Sequence, residues 1–229
     1  MNEQLIDVII AVYNGEKFIK EAITSVQQQS WENLSLIIVN DGSTDDTAAL
    51  VLNMQKEDTR IVLLQQEHLG VSSALNKGIE GSTADYIAFL DADDLWHKDK
   101  LQKQMRFMNA NAGDVCFCFL EEFETLEDIV GPAHRARPLP MKGISKTAML
   151  IHKNAFKKYG YFNKDVHIGD FIEWYSRLVR DKKDILMLEE VLVYRRVHTN
   201  NTTHSVDKNS YVKLIKDHLD KMRKTKGPL

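Results

Sequence analysis

The sequence has few of the features that mark secreted, membrane-spanning or nucleic-acid-binding proteins. Only two cysteines, Cys116 and Cys118, occur among 229 residues. Two positions apart on one strand, their side chains point the same way and could hardly bridge each other, so we expect a reduced, cytoplasmic protein. No stretch approaches the roughly 18 consecutive apolar residues of a membrane-spanning helix. The formal net charge of −3 provides no positive field, so we expect no nucleic-acid partner.

The N-terminus does not have the pattern of a signal peptide, and prolines are few. The N-terminal apolar run lacks the basic segment and the small-residue cleavage site of a signal peptide, and we interpret it as a first strand. Three of the four prolines fall between residues 131 and 142, which predicts a surface loop there. The proportions of hydrophobic residues, 43%, and of charged residues, 28%, are ordinary for a globular domain.

The first half of the sequence contains a regular alternation of two apolar patterns. Short β-branched runs predict strands, and apolar stripes at helical spacing predict helices. The predicted order is strand 5–12, helix 16–28, strand 34–39, helix from 44 or 45 to 56, strand 61–64, helix 71–80 and strand 86–90. Nearly continuous apolar strands that alternate with helices are typical of a parallel sheet covered on both faces. The pattern therefore predicts an α/β fold.

The second half is less regular. We predict strands at 115–119, 147–152 and 186–194, and helices at 154–159 and 171–180. A last helix at 208–224 has an apolar stripe and runs into the basic ending "KMRKTKGPL". A basic amphipathic helix can pack on the body of the protein, on a second copy of the chain, or peripherally on the inner face of an anionic membrane. The sequence leaves these alternatives open.

Polar clusters follow three of the predicted strands, at Tyr13-Asn14, Asn40-Asp41-Gly42 and Asp91-Ala92-Asp93-Asp94. In a parallel sheet these positions share the carboxyl edge, where ligands bind. The Asp-X-Asp spacing in "DADD" places two carboxylates on one side of an extended segment, which suits Mg²⁺ or Mn²⁺. The alternative is a cap for a helix beginning near Leu95. Asp41 likewise fits either a nucleobase or ribose contact or a simple Asp-Gly turn.

Longer motifs around these clusters resemble those of the family 2 glycosyltransferases, inverting enzymes of the GT-A fold that use nucleoside-diphosphate sugars. The opening "VIIAVYNGEKFIKEAITSVQQQSWENLSLIIVNDGSTDDT" and the central "HLGVSSALNKGIEGSTADYIAFLDADDLW" carry the resemblance most specifically. The segments "KNAFKKYGYFNKDVHIGDFIEWYSRL" and "YRRVHTNNTT" extend it to about residue 205. It implies a GT-A fold, with a Rossmann-like, mostly parallel sheet flanked by helices and a C-terminal acceptor-side region.

The resemblance also implies a donor-side set of nucleotide-sugar-binding residues. These residues are Ala11, Val12, Tyr13, Asp41, Asn76, Asp91 and Ala92. Tyr13 would pack its ring on the base or the ribose, Asp41 would hold the base, and Asp91 would lie near the ribose and the metal. The implied cofactor is Mn²⁺ or Mg²⁺, and a UDP-sugar is the favoured donor.

Metal and catalytic roles follow in the same way. Asp93 would be the direct metal ligand, Asp91 a second candidate ligand, and His198 a residue that helps to hold the metal or the pyrophosphate. Asp94 would support this site or cap a helix. Asp170, four residues before the tryptophan of "IGDFIEW", would be the general base that accepts the proton of the acceptor hydroxyl.

Three departures from the family pattern affect these roles. Ala11 stands where the family usually has proline, and Leu75 replaces an arginine that ordinarily reaches the nucleotide. The usual Glu-Asp pair reads Gly169-Asp170, so one carboxylate is missing and Glu173 is an alternative base. These changes keep open a nucleotide-sugar-binding module that has lost catalysis. A nucleotidyltransferase is a further alternative, although "AVYNGEK" has one glycine where such enzymes need a glycine-rich phosphate loop.

The expected organisation is one domain with two halves and an appendage. Residues 1–110 would bind the nucleotide sugar, residues 111–205 would supply the acceptor side and the base, and residues 206–229 would form the amphipathic helix and basic tail. The acceptor would be a glycan, a lipid-linked molecule or a peptide. Four arginines, Arg135, Arg137, Arg195 and Arg196, could bind an anionic acceptor or be ordinary surface charges.

Overall fold

The computed structural model describes residues 4–130, 140–166, 169–180 and 185–198. Its strands are β1 (Ile6–Val12), β2 (Leu34–Asp41), β3 (Ile61–Gln66), β4 (Tyr86–Phe89), β5 (Leu95–Trp96), β6 (Val115–Phe123), β7 (Met141–Lys142), β8 (Leu150–His152) and β9 (Ile185–Arg196). Its helices are α1 (Ile19–Gln27), α2 (Thr47–Glu57), α3 (Val71–Gly81), α4 (Lys100–Asn111), α5 (Leu126–Val130), α6 (Asn154–Tyr159) and α7 (Asp170–Val179). The predicted strand-helix alternation of the first half is confirmed.

All of these strands belong to one sheet, in the order β3-β2-β1-β4-β8-β6-β9-β5, with β7 paired to β6. The first four strands of that order are parallel to one another. β8 is antiparallel to β4 and β6, whereas β9 runs parallel to β6 over most of its length. Because β1, β2 and β4 are parallel, their carboxyl ends lie at one edge of the sheet, as predicted.

The core consists of one apolar cluster on each face of the sheet. Alternate residues of β1 separate the two: Val8 and Ile10 pack with α1 and α4 on one face, while Ile9 packs with α3, α6 and α7 on the other. This arrangement explains why the central strands are apolar at nearly every position. Gly78 lets α3 approach the sheet closely, since a Cβ there would lie 2.5 Å from Cγ2 of Ile9.

The alternative interpretation, in which the aspartates cap a helix beginning near Leu95, is wrong. Leu95 and Trp96 form β5, which pairs with Tyr194 and Val193 of β9, and the next helix begins at Lys100. The Trp96 indole donates a hydrogen bond to the carbonyl of Thr147 at 3.0 Å and is buried. A partner strand distant in sequence therefore overrides the local capping pattern.

Some expectations fall outside the described residues. The predicted 208–224 helix, the tail beyond it, and Arg135 and Arg137 all lie there. Within the part of the chain that the structure does describe, none of the helices is long and apolar enough to cross a membrane.

A lysine is buried in the core below the sheet edge. Lys100 has no exposed surface, donates a hydrogen bond to Oε1 of Gln104 at 2.8 Å, and lies 3.9 Å from the centre of the Trp96 ring. Burial lowers the pKa of Lys100 from 10.5 to about 8, although the nearby Cys118 and Cys116 act to raise it. Both cysteines are free and lie in the same apolar cluster, on one side of β6, as their spacing predicts.

The Lys100→Met variant should change how stability depends on pH. Between about pH 8 and pH 10.5, Lys100 binds fewer protons in the folded state than in the unfolded state. The cost of burying this lysine therefore falls, and the unfolding free energy rises, as the pH rises through that window. We expect the native protein to gain about 1 kcal/mol in unfolding free energy relative to Lys100→Met between pH 7 and pH 9. Urea unfolding at both pH values measures this difference.

The exposed Lys98 provides the matched control. Lys98→Met should keep a constant stability difference from the native protein between the two pH values, and both variants retain the two cysteines. A stability difference between native protein and Lys100→Met that does not change with pH would contradict the assignment of a depressed pKa to this buried lysine.

Candidate active site

The turns after β1 and β2 are joined to each other at the carboxyl edge. The backbone N–H of Asn14 donates to Oγ of Ser43 at 2.9 Å, and its side-chain Oδ1 accepts from the N–H of Thr44 at 2.8 Å. The N–H of Gly15 donates to Oγ1 of Thr47 at 2.8 Å. These reciprocal bonds fix the turn that carries Tyr13, a residue that remains 46% exposed. Of the other predicted donor-side residues of β1, Ala11 is partly buried and Val12 is buried.

Asp41, at the end of β2, organises the loop that follows β3. Its carboxylate accepts the backbone N–H groups of Leu69 and Gly70, both at 2.9 Å, and the side-chain amide of Gln66 at 2.6 Å. Nδ1 of His68 lies 3.0 Å from Oδ2 of Asp41. Asp41 is only 3% exposed. The predicted base-holding residue is thus buried against the 66–70 loop.

The 66–70 loop, held by Asp41, places the His68 ring against the Tyr13 ring. The two rings stack with centroids 3.9 Å apart and an interplanar angle of 27°. Gly42 permits the close approach of this loop, because its φ is +73° and a Cβ there would lie 2.8 Å from the backbone N of His68. Sequence reasoning did not single out His68, although its position just after a third parallel strand of the same sheet was the available signal.

Leu75 and Asn76 both point into the interior of the protein. Leu75, which stands where the family usually has arginine, is 3% exposed and belongs to an apolar cluster. Nδ2 of Asn76 donates to the carbonyl of Phe162 at 2.8 Å, and its Oδ1 accepts the Phe162 N–H at 3.0 Å. The amide of Asn76 is therefore engaged with the segment that precedes α7.

The aspartates after β4 form a tight turn. The N–H of Asp94 donates to the carbonyl of Asp91 at 3.1 Å, and Oδ1 of Asp94 accepts the N–H of Arg196 at 2.9 Å. Burial, with the charges of Asp91 and Asp93, raises the pKa of Asp94 well above its ordinary value. Asp94 is 3% exposed and caps no helix.

Asp91 retains a solvent-accessible surface at this turn, but the protein around its carboxylate also affects its ionisation. Desolvation by the surrounding atoms, with the charges of Asp93 and Asp170, raises the pKa of Asp91. Lys146 and Arg195 oppose that increase. The charges of Asp93, Asp170 and Lys146 therefore all affect the ionisation of Asp91 at the end of β4.

The end of β9 fixes the turn from the other side. The guanidinium of Arg196 lies between the rings of Phe18 and Phe123, 4.5 Å from each centroid, and its Nε donates to the carbonyl of Asp93 at 3.0 Å. It also forms an ion pair with Glu21. Arg196 is therefore a buried structural residue of the site, whereas Arg195 forms an ion pair with Glu122.

The structure brings His198 and Asp93 together. Nε2 of His198 lies 2.9 Å from Oδ2 of Asp93, and its ring packs on Phe18 with centroids 5.0 Å apart. Within the described ranges, no group of three or more His, Cys, Asp or Glu side chains could hold a metal. One carboxylate and one imidazole fit Mn²⁺, and they leave coordination positions for waters and substrate phosphates. A cavity of about 460 Å³, lined partly by Lys17, Arg196 and His198, adjoins this pair.

Asp170 is the first residue of α7 and is 7% exposed. Nζ of Lys146 lies 3.0 Å from its Oδ2 and 3.3 Å from its Oδ1, and Oγ of Ser72 donates to Oδ2 at 3.3 Å. The positive end of the helix dipole also favours a carboxylate at this position. Glu173, the alternative base, forms an ion pair with Arg177 at 2.9 Å on the same helix.

The curated relatives that match this chain are glycosyltransferases. An uncharacterized glycosyltransferase of Rickettsia typhi is 31% identical over 216 residues, which cover 88% of this chain and 66% of the relative. TuaG of Bacillus subtilis, named for teichuronic acid biosynthesis, is 43% identical over 105 residues, 45% of this chain and 42% of TuaG. The chain thus spans from less than half to about two thirds of the length of these relatives.

Solved structures of glycosyltransferases share the fold. Staphylococcus aureus TarS residues 1–349 in complex with UDP-GlcNAc gives a TM-score of 0.74 at 17% identity, over 88% of this chain and 61% of TarS 1–349. The mannosyltransferase PcManGT of Pyrobaculum calidifontis, in complex with GDP-Man and Mn²⁺, gives 0.68 at 17% identity, over 86% of this chain and 58% of PcManGT. The predicted GT-A fold, with its mostly parallel sheet, is confirmed.

The family model described as "Glycosyl transferase family 2" matches residues 7–174, which include β1 to β4, the aspartate turn and Asp170. By this match, the chain belongs to the family 2 glycosyltransferases.

Proposed function

We propose that the protein is an inverting glycosyltransferase that moves a sugar from a nucleoside-diphosphate sugar to an acceptor hydroxyl. The observation that carries the proposal is that a buried carboxylate on α7, Asp170, acts electrostatically on Asp91, in the same aspartate turn that carries the Asp93–His198 pair. Asp170 is suited to accept a proton and the Asp93–His198 pair to hold a cation beside a diphosphate. Family membership supports sugar transfer as the reaction.

The donor nucleotide is proposed to bind along the ends of β1, β2 and β4. Tyr13 offers an exposed ring for the base, and Ala11 and Val12 form the floor beside it. Asp41 contributes by holding the 66–70 loop and His68 at this edge. We favour a UDP-sugar, which is consistent with the TarS neighbour that binds UDP-GlcNAc.

The remaining donor-side residues act nearer to the sugar. Asp91 and Ala92 are proposed to lie against the ribose and diphosphate, where the aspartate turn is held by β9. Asn76 is proposed to act indirectly, because its amide holds the segment before α7 at Phe162.

Asp93 and His198 are proposed to hold Mn²⁺ or Mg²⁺, with Asp91 as a second candidate ligand. The imidazole favours Mn²⁺, since Mg²⁺ prefers oxygen ligands. Bound there, the cation would neutralise negative charge on the leaving nucleoside diphosphate. Arg196 keeps Asp93 in place through its backbone carbonyl, and Phe18 orients both Arg196 and the His198 ring.

Asp170 is proposed to accept the proton of the acceptor hydroxyl as that oxygen attacks the anomeric carbon. A single displacement from the face opposite the leaving group inverts the anomeric configuration. A retaining mechanism through a covalent intermediate would need a second carboxylate as nucleophile. Glu173, the next carboxylate along α7, is held by Arg177, which supports the single displacement.

A panel of nucleotide sugars tests the proposed activity. Incubated with Mn²⁺ in the absence of acceptor, a glycosyltransferase should slowly release nucleoside diphosphate from one of its donors by hydrolysis. With methanol added as a simple acceptor, nuclear magnetic resonance of the methyl glycoside product reads its anomeric configuration, which should be inverted; a glycoside, unlike the free sugar, does not mutarotate. Binding of a donor without turnover would support a binding module instead, and release of inorganic pyrophosphate from a nucleoside triphosphate and a sugar phosphate would support a nucleotidyltransferase.

Asp170→Asn should reduce turnover of the best donor by about 100-fold or more, because removal of a general base costs about two to four orders of magnitude. The affinity for UDP with Mn²⁺, measured by isothermal titration calorimetry, should change by less than about twofold. Glu173→Gln is the matched control and should keep the native rate. If Asp170→Asn turns over normally, the base assignment is wrong.

Asp93→Ala should weaken binding of UDP in the presence of Mn²⁺ by about tenfold or more, since it removes a direct metal ligand, while binding without metal should stay the same. His198→Ala should act in the same direction. Asp46→Ala, at an exposed aspartate that makes no side-chain capping bond, is the control. Equal affinities of native protein and Asp93→Ala for UDP with Mn²⁺ would contradict the metal site.

A further inference from the structure

We propose that Lys146 is a positioning residue of the transfer reaction, whose ammonium group holds the Asp170 carboxylate in its reactive orientation facing the aspartate turn. This inference rests on the proposed function, because it takes Asp170 as the base.

The contact between the two side chains is close and sheltered. Nζ of Lys146 lies within 3.3 Å of both carboxylate oxygens of Asp170. Only 13% of the lysine side chain and 10% of the aspartate side chain are exposed. Ser72 supplies a further hydrogen bond at 3.3 Å. An ion pair with so little solvent around it is screened much less by salt than a surface pair, so it constrains the rotation of the carboxylate.

The backbone that carries Lys146 is fixed on both sides. The N–H of Gly143 donates to the carbonyl of Cys118 at 3.0 Å, and a Cβ at Gly143 would lie 2.5 Å from that same oxygen. The carbonyl of Thr147 accepts the Trp96 indole N–H at 3.0 Å, and the carbonyl of Lys146 accepts the N–H of Met149 at 3.0 Å. The segment is therefore anchored to the core, and it presents the ammonium group from a defined place.

Stability alone does not account for this ion pair. A buried pair of this kind contributes little net stability compared with apolar residues of similar volume, because both ions lose their hydration. The position of Lys146 offers a better reason. Its charge acts on Asp91 as well as on Asp170 and opposes the repulsion between those carboxylates. A lysine at this point lets two negative groups remain close enough to act on the same substrate.

The chemistry of the proposed step explains why the orientation matters. One oxygen of Asp170 must point toward the acceptor hydroxyl to take its proton, while the Lys146 side chain stays beside the carboxylate. Without the ammonium group, the carboxylate would turn away from Asp91 to relieve their repulsion. Donor binding would then remain intact, but the proton acceptor would be misplaced, and small misplacements of a reacting group cost large factors in rate.

Lys146→Met, Lys146→Gln and Lys146→Arg test the inference, with Lys142→Met, four residues away at an exposed lysine, as the control. Lys146→Met should lower kcat for hydrolysis of the donor found in the panel by at least about tenfold, with donor KM and UDP affinity changed less than about twofold. Lys146→Gln keeps a hydrogen-bond donor but removes the charge, and its kcat should also fall. Lys146→Arg keeps the charge and should retain most of the native kcat. Lys142→Met should behave like the native protein.

Three results would overturn the inference. The first is a native kcat in Lys146→Gln or Lys146→Met, and the second is a raised donor KM with an unchanged kcat, which would place the lysine on the donor. The third is a loss of rate in Lys146→Met that disappears when rates are normalised to the folded fraction measured by circular dichroism. If Lys146→Met does not fold, Lys146→Gln and Lys146→Arg still decide between these outcomes.

The Asp170→Asn variant separates this inference from the proposed function. If Asp170→Asn is inactive and Lys146→Gln is fully active, the role of the lysine is wrong and the base assignment stands. If Asp170→Asn is fully active, the base assignment fails and the inference fails with it. In the double variant Lys146→Gln/Asp170→Asn, the lysine change should cause no further loss of rate, because both residues act through one carboxylate.

Discussion

Repulsion between carboxylates at the end of β4 is the constraint around which the site is built. Asp91, Asp93 and Asp94 follow a buried strand directly, and Asp170 acts on the same group from α7. The C-terminal half of the chain supplies a partner for three of them: His198 lies beside Asp93, the backbone N–H of Arg196 binds Asp94, and Lys146 contacts Asp170. A bound cation would further reduce the repulsion between these carboxylates, and a diphosphate could bind to that cation. The arrangement of charges is therefore suited to a metal–diphosphate ligand.

The position of β9 brings the partners of Asp93 and Asp94 to the aspartate turn. The strand pairs with β6 along its length and with β5 at its end, so that Arg196 and His198 arrive next to a turn about a hundred residues earlier in the chain. The guanidinium between Phe18 and Phe123 connects this strand to α1 and β6 at the same point. The sheet of β1 to β4 is therefore built from contacts within the first half of the chain, whereas the environment of the aspartate turn depends on β9.

The sequence predicted the parts of the fold in which local pattern and final structure agree. Apolar runs and helical stripes of the first half became β1 to β4 and α1 to α3, and the shared carboxyl edge followed from their parallel arrangement. Leu95 and Trp96 were misassigned because their pairing partner lies far along the chain. Lys146 and His68 went unnoticed for a similar reason: their chemistry depends on Asp170 and Asp41, which neither spacing nor composition places beside them. Spacing alone also could not show that the amide of Asn76 is engaged by Phe162.

The stacked rings of Tyr13 and His68 limit how the proposed nucleotide site could distinguish one base from another. At 3.9 Å between centroids, no third ring can enter between them, so that a base can only lie on an outer face of the pair. Tyr13 and the His68 side chain are each about half exposed, so this stacking surface is open to solvent and is not enclosed by a pocket. An open stacking surface binds small and large aromatic rings with similar stacking free energy, since base–aromatic stacking depends weakly on which base is stacked. At the proposed site, discrimination between a pyrimidine and a purine donor would then come from hydrogen bonds along the edge of the base rather than from the size of an enclosing pocket.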